Sequence, residues 1–285
     1  MEDAAQAIAG LHNLEFFSIC YLEGPGISHF FQALSSLPAL EKICMGQAPR
    51  LFRSMQGDSF LNLCTNTPNL CSLSFLDNTA PRMSARAMQR IFRIPRLKHL
   101  VCAWNREATM DMGSIVLAAP SLQGNTTIKT LMIEGPILDA RASQALLGVL
   151  SSRAAIEVVF LTVDSMGGSY GNEIGNLFRN TNSLKWAKFR VYNAKGSSLR
   201  EAACAMMAGL ELNTTLKWFD LGFDGIIGEQ NPPLFDAINP PLLRLLEQGN
   251  STLQSVRPGT PLWDKVSVYL WLNWAGRGRL LQTPL

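Results

Sequence analysis

Three apolar residues at offsets 0, 3 and 5 recur along the chain as the signature of a short strand. They stand at Leu14/Phe17/Ile19, Leu40/Ile43/Met45, Leu70/Leu73/Phe75, Leu97/Leu100/Cys102, Ile128/Leu131/Ile133, Ile156/Val159/Leu161, Leu184/Ala187/Phe189 and Leu216/Phe219/Leu221. Successive starts are 26 to 32 residues apart, about 29 on average, and a fixed period in this range marks a repeat architecture. A weaker ninth start, Leu253/Val256, follows a gap of 37 residues, and Pro258 spoils its strand.

The intervals hold apolar residues at helical spacing: Ile27 to Leu37, Met83 to Ile94, Ala140 to Leu150, Asn172 to Phe178 and Leu199 to Leu210. The unit is strand, loop, helix. Such a unit cannot bury both elements alone, so neighbours stack and share a core. Parallel strands then line an inner, concave face, and helices pack outside. Ala5, Ile8 and Leu11 read as the helix of a preceding, incomplete repeat.

Asn125-Thr126-Thr127, Asn213-Thr214-Thr215 and Asn250-Ser251-Thr252 each precede a strand's first apolar position by three residues, while Asn66 and Asn180 precede theirs by four. Asn tolerates the left-handed conformation that ends a helix, and Thr suits the start of a strand. The three triplets are also formal glycosylation acceptors. Their fixed place in the repeat favours a structural role.

Stretches such as NTTIKTLMIEG and NTTLKWFDLGFDG resemble leucine-rich repeats of the ribonuclease-inhibitor type, from about Leu11 to Val256. The resemblance implies an α/β leucine-rich-repeat solenoid, a horseshoe with a parallel concave sheet and convex helices. It also implies Asn at offset 8, in the turn after each strand. Here that position reads Leu22, Ala48, Asn78, Asn105, Pro136, Asp164, Tyr192 and Asp224, so the repeats are degenerate. The tail carries Leu272, Asn273, Gly276, Arg277, Leu280 and Leu281 and is similar to an LN-x-x-GR-x-x-LL element that follows repeats in some algal and diatom-like proteins. These features predict repeats over 1–257 and a C-terminal capping segment over 258–285, because an open end of stacked core must be covered.

Charge and composition narrow the functional classes. A formal net charge of +3 from 25 basic and 22 acidic residues is too small and dispersed for a nucleic-acid footprint. The acidic start of the chain does not read as a secretory signal, so an intracellular, cytoplasmic location is expected. The apolar run Val266 to Gly276 is too short to span a bilayer. The six cysteines lack metal-ligand spacing and read as reduced, mostly buried small residues. No metal or cofactor is expected.

The sharpest catalytic match is Gly167-Gly168-Ser169-Tyr170-Gly171, which fits G-x-S-x-G between a strand and a helix. A hydrolase of that design needs a histidine after the serine, and all three histidines precede position 100. The segment therefore reads as a glycine-rich loop. Gly222, Gly225 and Gly228 lack the Lys of a phosphate loop, and Asp220, Asp224 and Glu229 make a poor metal set because they fall at different repeat positions. No catalytic centre is expected.

Side chains alternate along a strand, so offsets 2, 4 and 6 face the open surface if 3 and 5 are buried. Earlier repeats present mixed residues there, with His99 among them, and the fifth presents Thr130, Met132 and Glu134. Later repeats present Val158, Phe160 and Thr162; Trp186, Lys188 and Arg190; Trp218, Asp220 and Gly222. Phe160, Trp186, Lys188, Arg190, Trp218 and Asp220 are accordingly the expected partner-binding residues, Trp and Arg being common at binding hot spots. The competing reading is a register shift that buries one Trp. The paired prolines Asn231-Pro232-Pro233 and Asn239-Pro240-Pro241 predict a surface excursion rather than a helix. The function expected is a non-catalytic scaffold that binds a protein or peptide. The alternative is a regulator of another enzyme, either a ubiquitin-ligase adaptor or a GTPase activator that would use Arg106.

Overall fold

A computed structural model describes residues 2–20, 26–46, 55–77, 83–104, 111–153, 155–165, 168–193, 198–223, 232–248, 250 and 252–257, with Leu270 and Asn273. They form two compact units, Met1–Ile137 and Leu138–Leu285. The first runs α1 (Glu2–Ala9), β1 (Phe16–Ile19), α2 (Ile27–Ser35), β2 (Lys42–Gly46), α3 (Met55–Asn66), β3 (Ser72–Asp77), α4 (Ala85–Phe92), β4 (His99–Trp104), α5 (Met112–Ala118), α6 (Pro120–Gln123) and β5 (Thr130–Leu138). The second runs α7 (Ala140–Ser151), β6 (Val158–Ser165), α8 (Gly168–Asn180), β7 (Trp186–Asn193), α9 (Ser198–Glu211), β8 (Trp218–Phe223), α10 (Pro232–Glu247) and β9 (Ser255–Arg257). Strand and helix alternate, save that two helices, α5 and α6, stand between β4 and β5, in keeping with the α/β leucine-rich-repeat class.

Within each unit the strands are parallel and lie in chain order. Pairing joins equal offsets: Phe17 faces Ile43, Ile43 faces Leu73, Leu73 faces Leu100 and Leu100 faces Leu131. In the second unit Val159 faces Ala187, Ala187 faces Phe219 and Phe219 faces Val256. A one-residue slip would turn every buried side chain outward, which holds this register. The start of each ladder is reinforced in the same way in both units. The Glu15 carbonyl accepts the N–H groups of Glu41 and Lys42 at 2.9 and 3.0 Å, and the Glu157 carbonyl accepts those of Lys185 and Trp186 at 2.8 and 3.1 Å.

From the second repeat to the eighth the residues at offsets 0, 3 and 5 form the core with the inward helix faces, and Leu40, Leu70, Leu131, Ile156, Val159 and Phe189 are wholly buried, whereas Leu14, Phe17 and Ile19 of the first repeat are half-buried. Helix starts are capped where the sequence supplies an acceptor. The Asp139 carboxylate accepts the Ala142 N–H at 2.8 Å, and the Ser84 hydroxyl accepts that of Ala87 at 3.2 Å.

The asparagines before the strands work differently from the expected backbone role. Asn125 donates its amide to the Phe92 and Ile94 carbonyls of the preceding repeat at 2.9 and 3.0 Å. Its oxygen accepts the N–H groups of Thr127 and Ile128. Asn213 repeats the arrangement, donating to the Phe178 and Thr181 carbonyls and accepting from Thr215 and Leu216. Each side chain is a buried clamp between consecutive repeats, which satisfies backbone groups that water cannot reach. These two amides are not available to carry a glycan. Asn66 and Asn180 end their helices, and the clamp position falls to Thr67 and Thr181, whose hydroxyls turn back to the Leu63 and Leu177 carbonyls of their own helices.

Two further expectations are corrected. The strands β5, β6 and β7 continue through offset 8, so Pro136, Asp164 and Tyr192 lie within strands and not in a turn. Pro240 and Pro241 sit inside α10. Two missing N–H donors weaken that helix locally. Burial of Leu242, Leu245 and Leu246 just beyond them offsets that loss, since packing of an apolar face outweighs propensity in most protein helices.

Candidate functional site

The helices of the second unit cover one face of β6, β7 and β8, and the other face carries the even offsets. On β7 and β8 the alternation is as expected. Ala187, Phe189, Phe219 and Leu221 are buried, whereas Trp186 and Trp218 are 44% and 43% exposed. The register pairs Trp186 with Trp218 and Lys188 with Asp220 on adjacent strands. The indoles stack at 5.3 Å between centroids and 29° between planes. Neither Trp is buried by a register shift.

Phe160 on β6 faces Lys188 in the ladder, and the Lys188 ammonium lies over its ring, 5.3 Å from the centroid. A cavity of about 230 Å³ opens among Phe160, Trp186, Lys188, Trp218 and Asp220. Arg190 is half-buried one row further along, opposite Thr162 and Gly222. Lys188 and Arg190 are both already engaged in contacts. Asp220, also half-buried, makes no hydrogen bond or ion pair among the described residues. Five of the six expected residues thus border one cavity, and Arg190 extends the same face.

The expected row also contained Thr162, which the structure buries at 4% exposure with its hydroxyl unpartnered. Sequence reasoning missed Asp164 and Tyr192. They join the even-offset face because β6 and β7 outrun the expected strand length, and Tyr192 is 38% exposed. The signal was present in Val163 and Val191, apolar residues at offset 7 that carry the alternation one step further and are both buried.

The catalytic decoy dissolves on inspection of α8. Gly168, Ser169, Tyr170 and Gly171 belong to its first turns rather than to a loop, with Ser169 exposed and Tyr170 buried. Helical geometry wins because α8 packs backbone to backbone on α9. A Cβ on Gly171 would lie 2.3 Å from the Ala202 backbone. Burial pushes the Tyr170 hydroxyl above its ordinary range and the Cys64 and Cys102 thiols well above theirs. All three stay neutral and belong to the core. Arg106, Asp224, Glu229, Gly225 and Gly228 lie outside the described residues. Among the described residues no cluster of three or more His, Cys, Asp or Glu side chains is placed to hold a metal, and no helix is long and apolar enough to cross a membrane.

The sequence matches no known family model and no curated protein. Solved structures similar to it include one described as leiomodin-1 actin-binding site 2, at 18% identity over 50% of this chain and 79% of that one, with a TM-score of 0.37. Another is a tropomodulin C-terminal domain from Caenorhabditis elegans, at 15% identity over 60% and 98%, with a TM-score of 0.42. A third, the complex of Rad7 and Elc1 in yeast, aligns at 14% identity over 90% and 82%, with a TM-score of 0.29. Identities and scores this low carry no argument about function.

Proposed function

We propose that the protein is a non-catalytic protein-interaction scaffold of the ribonuclease-inhibitor-like repeat type, binding a protein or peptide on the concave, helix-free face of its sheet. The observation that carries this reading is the stacked and exposed indole pair beside Phe160, Lys188, Arg190 and Asp220. Core-forming Trp residues are buried, whereas exposed aromatic anchors beside charged groups are typical of binding hot spots. No nucleophile with an aligned base supports an enzyme among the described residues, and no nucleic-acid footprint or cofactor enters the reading. Six free cysteines suit an intracellular scaffold, which we place in the cytoplasm.

We also read 258–285 as the cap of the last repeat. Leu270 and Asn273 are buried, and Asn273 donates its amide to the Asn250 and Leu253 carbonyls at 2.7 and 2.8 Å, like the clamps between repeats. The regulator alternative has no specific observation in its favour.

The test is a pair of measurements on Trp186→Ala and Trp218→Ala. Each should cost on the order of 2 kcal/mol of partner affinity. Loss of the stacked pair should lower stability by only about 0.5–1.5 kcal/mol. Unchanged affinity in both variants refutes the reading.

A further inference from the structure

We infer that the segment docking on this face presents an arginine, whose guanidinium lies against the Trp186–Trp218 pair and whose nitrogens reach the Asp220 carboxylate. The inference rests on the binding role proposed above and adds the chemistry of the occupant. Its basis is the charge left unspent at the cavity. The even-offset side chains bordering it carry Lys188, Asp220 and the aromatic rings. The Lys188 ammonium is drawn onto Phe160 of β6, on the opposite side from β8, and so leaves Asp220 alone. Arg190, one row away, is already engaged. Asp220 is therefore a carboxylate with open acceptor positions, two residues along the same strand face from an exposed indole.

A planar cation that both stacks on an aromatic ring and donates two parallel hydrogen bonds fits that pairing. Indole is the ring that attracts cations most strongly. Lysine offers a point charge without the flat surface and fits less well. An acidic segment would instead be drawn to a separate depression of about 380 Å³ at the strand starts, where Lys185 and Lys217 stand with Thr215 and Gln254. Lys185 there is already bonded to Glu157 at 2.7 Å. Lys217 lines this depression, whereas Trp218 and Asp220 line the cavity beside the indole pair, so the two places are distinct.

The experiment selects random dodecapeptides displayed on phage against the full chain and discards those that also bind the Trp186→Ala/Trp218→Ala double variant. Surviving sequences are synthesised, and their affinities are measured for the wild type, Asp220→Asn and Lys217→Glu. The expected result is an arginine common to the selected peptides. Replacing it by lysine should weaken binding severalfold, replacing it by citrulline at least tenfold, and Asp220→Asn should weaken binding about tenfold. Arg257→Ala, at the register neighbour of Asp220 on β9, should leave these affinities unchanged or tighter. Circular dichroism of Asp220→Asn should match the wild type, because the side chain supports no described contact. Selected peptides that need both Trp residues but lack arginine, or that ignore Asp220→Asn, overturn the arginine while keeping the scaffold. Acidic peptides lost with Lys217→Glu do the same and assign the opposite charge. A selection in which no peptide distinguishes wild type from the double variant overturns both readings.

Discussion

Both units pack rings behind their strands, but they bring their helices together differently. In the first, rings are layered between β1, α2, α3 and β3. Phe17 meets Phe30 at 5.5 Å, Phe31 meets Phe60 at 5.5 Å, and Phe60 meets Phe75 at 5.9 Å, each pair edge to face. In the second, Tyr170, Phe178 and Phe189 also pack inside, but α8 and α9 approach through glycine. A Cβ on Gly175 would lie 2.4 Å from the Ala205 carbonyl oxygen, and one on Gly209 would lie 2.1 Å from that of Gly175. The even-offset faces differ as well. The first unit shows Phe16, Leu76 and small polar residues, with His99 bonded to Thr130 at 3.0 Å, while the second shows the indole pair. Repeats of similar length thus admit helices packed through rings, as α2 and α3 are through Phe31 and Phe60, or helices packed through glycine, as α8 and α9 are. The first design is sensitive to truncation and the second to enlargement.

That contrast is broken most severely by Phe60→Ala. Phe60 is fully buried against two rings, and its loss should cost about 3–5 kcal/mol, read as a fall in the denaturation midpoint. Cys64, one turn along α3, reports the same event. Its thiol is buried and held neutral, so alkylation requires opening and should accelerate in the variant. A loss under about 1 kcal/mol would show that the ring layer does not hold the first unit together.

Gly209→Ala should come next, costing about 1–3 kcal/mol, because the added methyl meets backbone that cannot rotate away. A neutral result by chemical denaturation would mean that α8 and α9 are not in backbone contact. The smallest effect carries the opposite sign. Gly148 is exposed on α7, and an added Cβ there meets nothing within 4 Å. Gly148→Ala should therefore stabilise the chain by about 0.5–1 kcal/mol through helix propensity alone. The two substitutions are chemically identical, so their difference isolates the contact between helices.

Strand positions, parallel order, register and the side of the sheet on which Trp186 and Trp218 appear were all legible in the amino-acid pattern. The reason is geometric: a repeat of nearly constant length carries each offset to the same place, and alternation along a strand then assigns its face. Five of the six expected binding residues meet at one cavity for that reason. Other features depended on neighbours far apart in sequence. Asn213 reads locally as a helix-ending residue, and only the stacking of its repeat on the one before brings the Phe178 and Thr181 carbonyls within reach of its amide. Gly171 reads as part of a loop until α9 is placed against it, and Pro240 reads as a helix breaker until the buried leucines beyond it are counted. Thr162 holds an open-face position by period, yet its surroundings bury it. Periodicity follows from local geometry, whereas close approach, burial of single polar groups and contacts between repeats exist only once the units are packed.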